Sequence, residues 1–184
     1  MALNRRDAIK MAAAVPALMQ LNIAHAENTS TPNKKAATAE EQVKSLEEKL
    51  ASLKRLNATA EENKKIAIDL CTRLFNEKDT SVIDKYIVED YIQHSPTAPS
   101  GRAGIHARVG ELFAAYPKLH IDIRQVISEG NLVALHYIWR FKPEDRGMAI
   151  VDILRIEGGK VREHWDVVQE IPDPAKSANR NGMF

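Results

Sequence analysis

The chain has 184 residues, 44% of them hydrophobic, which suits one domain with short extensions and a substantial buried core. Its 26 lysines and arginines nearly balance its 25 aspartates and glutamates, so no excess of positive charge points to nucleic acid or to an anionic membrane surface. Cys71 is the single cysteine, which excludes an internal disulfide and a cysteine-based zinc site. We therefore expect the partner to be a small molecule or another protein.

The first 26 residues have the pattern of an export signal. The basic pair Arg5 and Arg6 precedes a moderately apolar stretch, residues 11–23, and residues 24–26 form a small-residue cleavage site. The paired arginines resemble the twin-arginine export motif. Because the apolar stretch is too short and too interrupted for a membrane-spanning helix, the pattern predicts export to the periplasm or the exterior without a membrane anchor.

Residues 27–58 are predicted to connect this signal to the domain. Residues 27–38, rich in Asn, Thr, Ser and Lys, indicate a flexible linker, and residues 39–56 indicate a charged helix. One apolar stripe on that helix is formed by Val43, Leu46, Leu50 and Leu53. Two heptads are too few for a convincing coiled coil, so we expect the stripe to pack on the domain or on a second subunit.

Residues 59–184 are predicted to form the domain itself. Thr59 and Glu62 make a capping-box pattern, which predicts the start of a helix. Further along the chain the patterns predict a helix end near 76, a short helix at 81–86, an extended segment at 91–96, a helix at 101–116, and strands at about 119–128, 132–141, 148–156 and 161–170. Helices followed by antiparallel strands indicate an α+β domain with a curved antiparallel sheet that the helices close.

The last two strands carry ionisable groups among apolar neighbours. Gly158 and Gly159 between them predict a tight hairpin turn. By strand alternation Asp152 shares a face with Leu154 and Ile156, and His164 shares a face with Asp166. The opposite face of the last strand is predicted to hold Val161, Glu163, Trp165 and Val167. A carboxylate on an apolar face needs a partner or a function.

Several short motifs occur in order along the chain. They are Tyr-Ile-Gln-His-Ser-Pro at 91–96, Gly-Arg at 101–102, a strand with His136, Asp-Ile-Leu-Arg at 152–155, Gly-Lys-Val-Arg-Glu-His-Trp-Asp-Val at 159–167 and a Met-Phe ending. Over about residues 61–184 this set resembles the SnoaL-like polyketide cyclase family, and within it the branch of predicted aldol-condensation enzymes. The resemblance implies the cone-shaped, cystatin-like roll of the nuclear-transport-factor-like superfamily, with an internal pocket and a homodimer through the outer sheet face.

The resemblance also implies a catalytic site without metal or cofactor. Asp152 matches the position of an acid–base aspartate, and burial among apolar groups suits a carboxyl that removes a proton next to a carbonyl. His94 and His136 match histidines of the family and are candidate donors to the developing oxyanion. The alternatives are a structural carboxylate paired to an arginine and two structural histidines.

Three more residues are candidates for substrate binding. His164 and Asp166 are expected to line the pocket together, and Tyr91 is a candidate pocket hydroxyl, with core packing as its alternative. A minority hypothesis lets Asp152 and the histidines converge on zinc, although the chain has no closely spaced ligand motif.

The sequence thus predicts an exported enzyme that performs aldol cyclisation or isomerisation on a small hydrophobic carbonyl compound. The alternative is a module of the same fold that binds a small ligand and catalyses nothing.

Overall fold

The computed structural model describes residues 32–184, with side chains from residue 38 onward. The predicted export signal and residues 27–31 of the predicted linker lie outside the described residues. Within the described part, no helix combines the length and the apolar character that a membrane span requires. Contacts divide the chain into two units, Met1–Lys44 and Ser45–Phe184, and the second contains the sheet.

The first element is one long helix, α1, which runs from Pro32 to Asn76. The predicted helix start at Thr59 is wrong, because the Thr59 hydroxyl donates to the carbonyl of Arg55, one turn back in the same helix, over 3.1 Å. The predicted linker is likewise helical from Pro32. Asn and Thr within a helix cost only some tenths of a kcal/mol each, on the order of 0.7 at most, and no glycine or proline interrupts the segment.

The two halves of α1 have different surroundings. Along the N-terminal half, the side chains of Val43, Leu46, Leu50 and Leu53 are each more than half exposed. Further along, the helix buries one face, which contains Ala60, Ala67, Leu70 and Leu74. The expected apolar stripe therefore does not pack on the core of the domain, and its packing on a second subunit stays a prediction.

A five-stranded sheet follows. The remaining elements are α2 (Ser81–Tyr86), β1 (Ile87–Gln93), α3 (Arg102–Ala115), β2 (His120–Glu129), β3 (Leu132–Arg140), β4 (Met148–Glu157), β5 (Lys160–Glu170) and a 3₁₀ turn (Pro174–Lys176). The strand order is β1-β5-β4-β3-β2, and all neighbours are antiparallel except β1 and β5, which are parallel. The predicted α+β class is confirmed, but the sheet is mixed. The sequence did not predict β1 as a strand, because the consecutive charges Glu89 and Asp90 interrupt its apolar alternation.

The hairpin of β4 and β5 forms as predicted, with one irregularity. Gly158 and Gly159 take positive φ values of 57° and 74°, the conformation of a type I′ turn. Opposite the Arg155–Ile156 step of β4, strand β5 contains one extra residue, Arg162, which forms a β-bulge. The bulge shifts the alternation, so Val161 is fully buried on the inner face, and its predicted position beside Glu163 and Trp165 is wrong.

The core lies between the inner face of the sheet and the three helices. The sheet contributes Val133, Leu135, Tyr137, Ile150, Leu154, Ile156 and Val161, and the helices contribute Leu70, Leu74, Val82, Ile83, Ile105 and Val109. Asn76, at the end of α1, fixes the helix to β2: its Oδ1 accepts from the Ile121 N–H over 2.7 Å, and its Nδ2 donates to the Ile121 carbonyl over 3.1 Å. This side chain thus aligns the helix with the sheet that carries the site.

Candidate active site

A cavity of about 140 Å³ lies between the helices and the inner face of the sheet. Most of its wall is apolar, with Leu70, Leu74, Phe75, Ile105, Val109, Leu112 and Leu154 among the lining residues. The polar part of the wall comes mainly from the strands: Tyr91, Gln93, Tyr137, Asp152, His164 and Asp166. An apolar cavity with a few convergent polar groups is the usual form of a small-molecule site.

Asp152 is the central polar group of the cavity. Asp152 is only 7% exposed. Strand alternation directs its side chain to the inner face beside Leu154, as the sequence predicted. The Tyr137 hydroxyl donates to Asp152 Oδ2 over 2.7 Å, and His164 Nε2 lies 3.0 Å from Asp152 Oδ1. Both carboxylate oxygens are therefore oriented by neighbouring groups, and the arginine partner that the structural alternative required is not present among the described residues.

His164 is held from both sides of its ring. While Nε2 faces Asp152, Nδ1 lies 2.7 Å from the side-chain oxygen of Gln93. The backbone N–H of Ser95 donates to the same Gln93 oxygen over 3.0 Å, and Gln93 Nε2 donates to the Tyr91 hydroxyl over 3.1 Å. Parallel pairing of β1 with β5 places Gln93 directly beside His164. A chain of polar contacts thus runs from the β1 end to Asp152.

Asp166 lies directly across from Asp152 in the β4–β5 pairing and also lines the cavity. The expected sharing of one face by His164 and Asp166 is therefore confirmed. Unlike that of Asp152, the side chain of Asp166 makes no hydrogen bond or ion pair with another residue in the range 38–184. Tyr91, 4% exposed, contacts Gln93 and lines the cavity, so it is both a buried core residue and a pocket hydroxyl.

Burial changes the acid–base behaviour of three groups at the cavity wall. It raises the pKa of the Tyr137 and Tyr91 hydroxyls, and the nearby Asp152 carboxylate adds to the effect. Both phenols therefore stay protonated at neutral pH and act as neutral hydroxyls. The pKa of the Cys71 thiol is raised for the same two reasons, burial first. Cys71 is therefore a buried, protonated thiol at neutral pH and not a nucleophile.

His94 lies outside this cluster. It follows β1, and its ring is on the outer surface, where Nε2 lies 2.7 Å from Glu163 Oε1 and the ring stacks on Trp165 at a centroid distance of 4.8 Å. Glu163 is also paired with Arg155, and the hydrogen bond from His94, together with Arg155, lowers the pKa of Glu163. Because Gln93 faces inward, alternation turns its neighbour His94 outward, so His94 is not positioned to contact a ligand beside Asp152.

His136 is also on the outer face. Its ring stacks on that of Phe184 at 4.7 Å, while the next residue, Tyr137, points inward. Since His94 and His136 both lie away from Asp152, the structure does not bring the predicted zinc ligands together. Among the described residues no group of three or more His, Cys, Asp or Glu side chains is arranged to hold a metal ion.

These features can be compared with known proteins. A family model described as a SnoaL-like domain matches residues 69–164, more than half of the chain. The chain belongs to the SnoaL-like family. No curated protein matches the sequence.

Solved structures share the fold of this SnoaL-like chain at low sequence identity. A proposed ketosteroid isomerase from Kribbella flavida is 18% identical, with a TM-score of 0.53 over 66% of this chain and 87% of that one. AclR, a proposed hydroxylase from Streptomyces galilaeus, is 23% identical, with a TM-score of 0.51 over 64% and 85%. A proposed polyketide cyclase from Bacillus cereus is 19% identical, with a TM-score of 0.51 over 58% and 74%. These likenesses show the nuclear-transport-factor-like fold and nothing finer.

Four residues of this SnoaL-like site were not among the sequence candidates. Tyr137 and Gln93 contact the central groups, and Arg108 and Trp139 line the cavity. Strand alternation contained a signal for Tyr137, because Val133 and Leu135 define the apolar face of β3 and Tyr137 continues it, whereas His136 does not. The same alternation links Gln93 to Tyr91. Arg108 and Trp139 become site residues only through the packing of α3 and β3 around the cavity.

Proposed function

We propose that this SnoaL-like protein is an acid–base enzyme in which Asp152 removes a proton from the carbon next to a carbonyl of a small hydrophobic compound. The observation that carries the proposal is a buried carboxylate that faces a largely apolar cavity and is oriented by Tyr137 and His164. Buried carboxylates in clefts are frequent general bases. The resemblance to the SnoaL-like family supports the same assignment, because Asp152 matches the position of the acid–base aspartate there.

The proposed reaction balances without an oxidant or reductant. Asp152 accepts the proton, the C–H electron pair forms the carbon–carbon double bond of an enolate, and the charge moves to the carbonyl oxygen. In a cyclisation, the enolate carbon bonds to a second carbonyl carbon of the same molecule, and the new alkoxide takes the proton from Asp152. In an isomerisation, the proton returns to another carbon. Each Asp152 oxygen keeps a second lone pair for this proton beside its contact with Tyr137 or His164.

Cavity size and charge narrow the class of substrate. A volume of about 140 Å³ is close to the roughly 150 Å³ of an apolar cavity that accepts benzene, so one ring fits. A longer molecule would extend past Arg108, whose side chain is 37% exposed and has one long ion-pair contact of 4.0 Å with Glu111. We therefore expect a one-ring carbonyl compound, with any anionic substituent near Arg108.

The test needs no knowledge of the product. Proton abstraction is followed by NMR as exchange of α-hydrogens for deuterium in a panel of cyclic ketones and keto acids. Wild type is expected to accelerate exchange of at least one compound, and Asp152→Asn, which keeps the side-chain volume, is expected to lose about 10²- to 10⁴-fold of that rate. Asp166→Asn is the matched control at the neighbouring carboxylate. Exchange by Asp152→Asn at the wild-type rate would disprove the assignment.

A second candidate is a binding module of the same fold. It is favoured by the partners of both Asp152 oxygens, the hydrogen bond from Tyr137 and the ion-pair contact with His164, since a carboxylate paired within the protein can also be purely structural. The two candidates predict different results in the deuterium-exchange experiment. A binding module would be stabilised by a ketone in a thermal-shift assay, without exchanging its α-hydrogens.

We also propose that the protein is exported and that it forms a homodimer through the outer sheet face. The residue pattern of positions 1–26 supports export, and cell fractionation of the full chain tests it. The outer face carries exposed Val167 and the stacked rings of His136 and Phe184, so light scattering of wild type and of a Val167→Lys variant tests the dimer.

A further inference from the structure

Gln93 links the backbone of the chain to the proton of the candidate active site. We propose that Gln93 is a positioning residue that keeps a proton on His164 Nδ1. As a consequence, a second proton lies in the contact between His164 Nε2 and the Asp152 carboxylate. The location of the proton follows from hydrogen-bond chemistry alone. Its catalytic significance rests on the proposed function of Asp152.

The orientation of the Gln93 amide comes first. The two ends of an amide side chain are distinguished by their hydrogen-bond partners. The backbone N–H of Ser95 can only donate, and it lies 3.0 Å from the atom assigned as Gln93 Oε1. That atom must therefore be the oxygen. The other end, Nε2, then donates to the Tyr91 hydroxyl over 3.1 Å, which leaves both ends of the amide paired.

This orientation of the amide determines which nitrogen of the His164 ring carries a hydrogen. Its Nδ1 lies 2.7 Å from Gln93 Oε1, and an amide oxygen cannot donate. The hydrogen between these two atoms therefore belongs to Nδ1. In a neutral imidazole only one nitrogen carries a hydrogen, so Nε2 would be bare.

The contact on the other side of the ring now requires a proton. His164 Nε2 and Asp152 Oδ1 are 3.0 Å apart, an ion-pair distance to which two unprotonated, electron-rich atoms would not approach. Either His164 is an imidazolium beside a carboxylate, or Asp152 is a carboxylic acid beside a neutral ring. In both forms, His164 and Asp152 together carry two protons. A carboxylate beside a neutral histidine with a bare Nδ1 would carry only one.

The other polar groups at the cavity wall are consistent with this arrangement. Tyr137 occupies the second oxygen of Asp152, and its raised pKa keeps it a donor. The titratable and charged groups that line the cavity with His164 are Tyr91, Tyr137, Asp152, Asp166, Cys71 and Arg108. In the imidazolium–carboxylate form, Asp152 can accept a proton from a substrate carbon. His164 can donate a proton on the side of the cavity where Asp152 lies.

The test is NMR of ¹⁵N-histidine-labelled protein without any substrate, with the His164 signals assigned from a His164→Gln variant. At neutral pH, wild type is expected to show the nitrogen shift of a protonated Nδ1. Gln93→Glu, which keeps an acceptor, should preserve that signal. Gln93→Leu, which removes the acceptor, should leave Nδ1 unprotonated and place the hydrogen on Nε2, facing Asp152.

The outcomes separate this inference from the proposed function. An unprotonated Nδ1 in wild type, or an unchanged ring in a folded Gln93→Leu, would overturn the inference, whether or not the protein is an enzyme. If Gln93→Leu fails to fold, the wild-type spectrum alone decides. Signals of His106, a surface histidine 3.2 Å from Asp84, report whether each variant is folded and at the same pH. The exchange assay with ketones tests catalysis separately.

Discussion

Removal of the Tyr137 hydroxyl is the most direct test of the polar centre of the cavity. Tyr137 is 1% exposed, and its hydroxyl donates to Asp152 Oδ2 over 2.7 Å. A hydrogen bond to a charged group contributes about 1.5–3 kcal/mol, and Tyr137→Phe also leaves one buried carboxylate oxygen with one donor fewer. We expect a loss of about 2 kcal/mol in the free energy of unfolding. With a slope of about 2 kcal/mol per M, the urea midpoint should fall by about 1 M.

The matched control is Tyr91→Phe on β1, at another part of the cavity wall. Tyr91 is also buried, at 4% exposure, but its hydroxyl pairs with the neutral amide of Gln93. A loss of only about 1 kcal/mol is expected there. Combining Tyr137→Phe with Asp152→Asn in a double-mutant cycle should give a coupling of about 1 kcal/mol or more. Equal losses in the two phenylalanine variants and no coupling would refute a charge-assisted bond to Asp152.

Three further predictions concern other parts of the domain. Asn76→Ala removes two hydrogen bonds to β2 and should lower the free energy of unfolding by about 2 kcal/mol, which urea titration measures against an Asn57→Ala control at an exposed position of the same helix. The pKa of Glu163 is lowered in the folded protein, so ionised Glu163 stabilises the fold. This stabilisation is fully present above pH 4.5, the usual pKa of a glutamate, and is lost as the pH falls through the lower pKa of the folded state. Glu163→Gln should therefore lose less stability in acid than wild type. Cys71, at the cavity wall with a pKa raised by burial, should react with iodoacetamide at pH 8 much more slowly in the folded protein than in the unfolded chain, because it stays a protonated thiol; equal labelling rates in the two states would contradict its placement.

The sequence was sufficient to predict the class of fold and the position of Asp152. Helical spacing and the Gly158–Gly159 turn are local signals, and alternation along β4 sends Asp152 inward wherever Leu154 is buried. The parallel strand β1 was missed because its residues alternate poorly and because its partner, β5, is about 70 residues away in the sequence. Pairing over that distance leaves no local pattern.

The histidines show a different limit. His94 and His136 were chosen because they match histidines of the resembled family, whereas each is flanked by a residue that faces inward, Gln93 and Tyr137. Alternation could have corrected both choices. The contact between His164 and Gln93, by contrast, depends on the register of two strands and on a backbone donor from Ser95. No property of the individual residues encodes it.

The bulge at Arg162 determines how this hairpin can change in length. A single deletion between His164 and Asp166, such as that of Trp165, would reverse the facing of every residue on one side of it, and would turn either His164 or Asp166 away from the cavity. Deletion of Arg162 itself restores simple alternation and leaves Val161 inward, Glu163 outward and His164 inward. Length variation in this strand can therefore occur at one position without moving the site, and relatives that differ there by one residue can keep the same cavity wall.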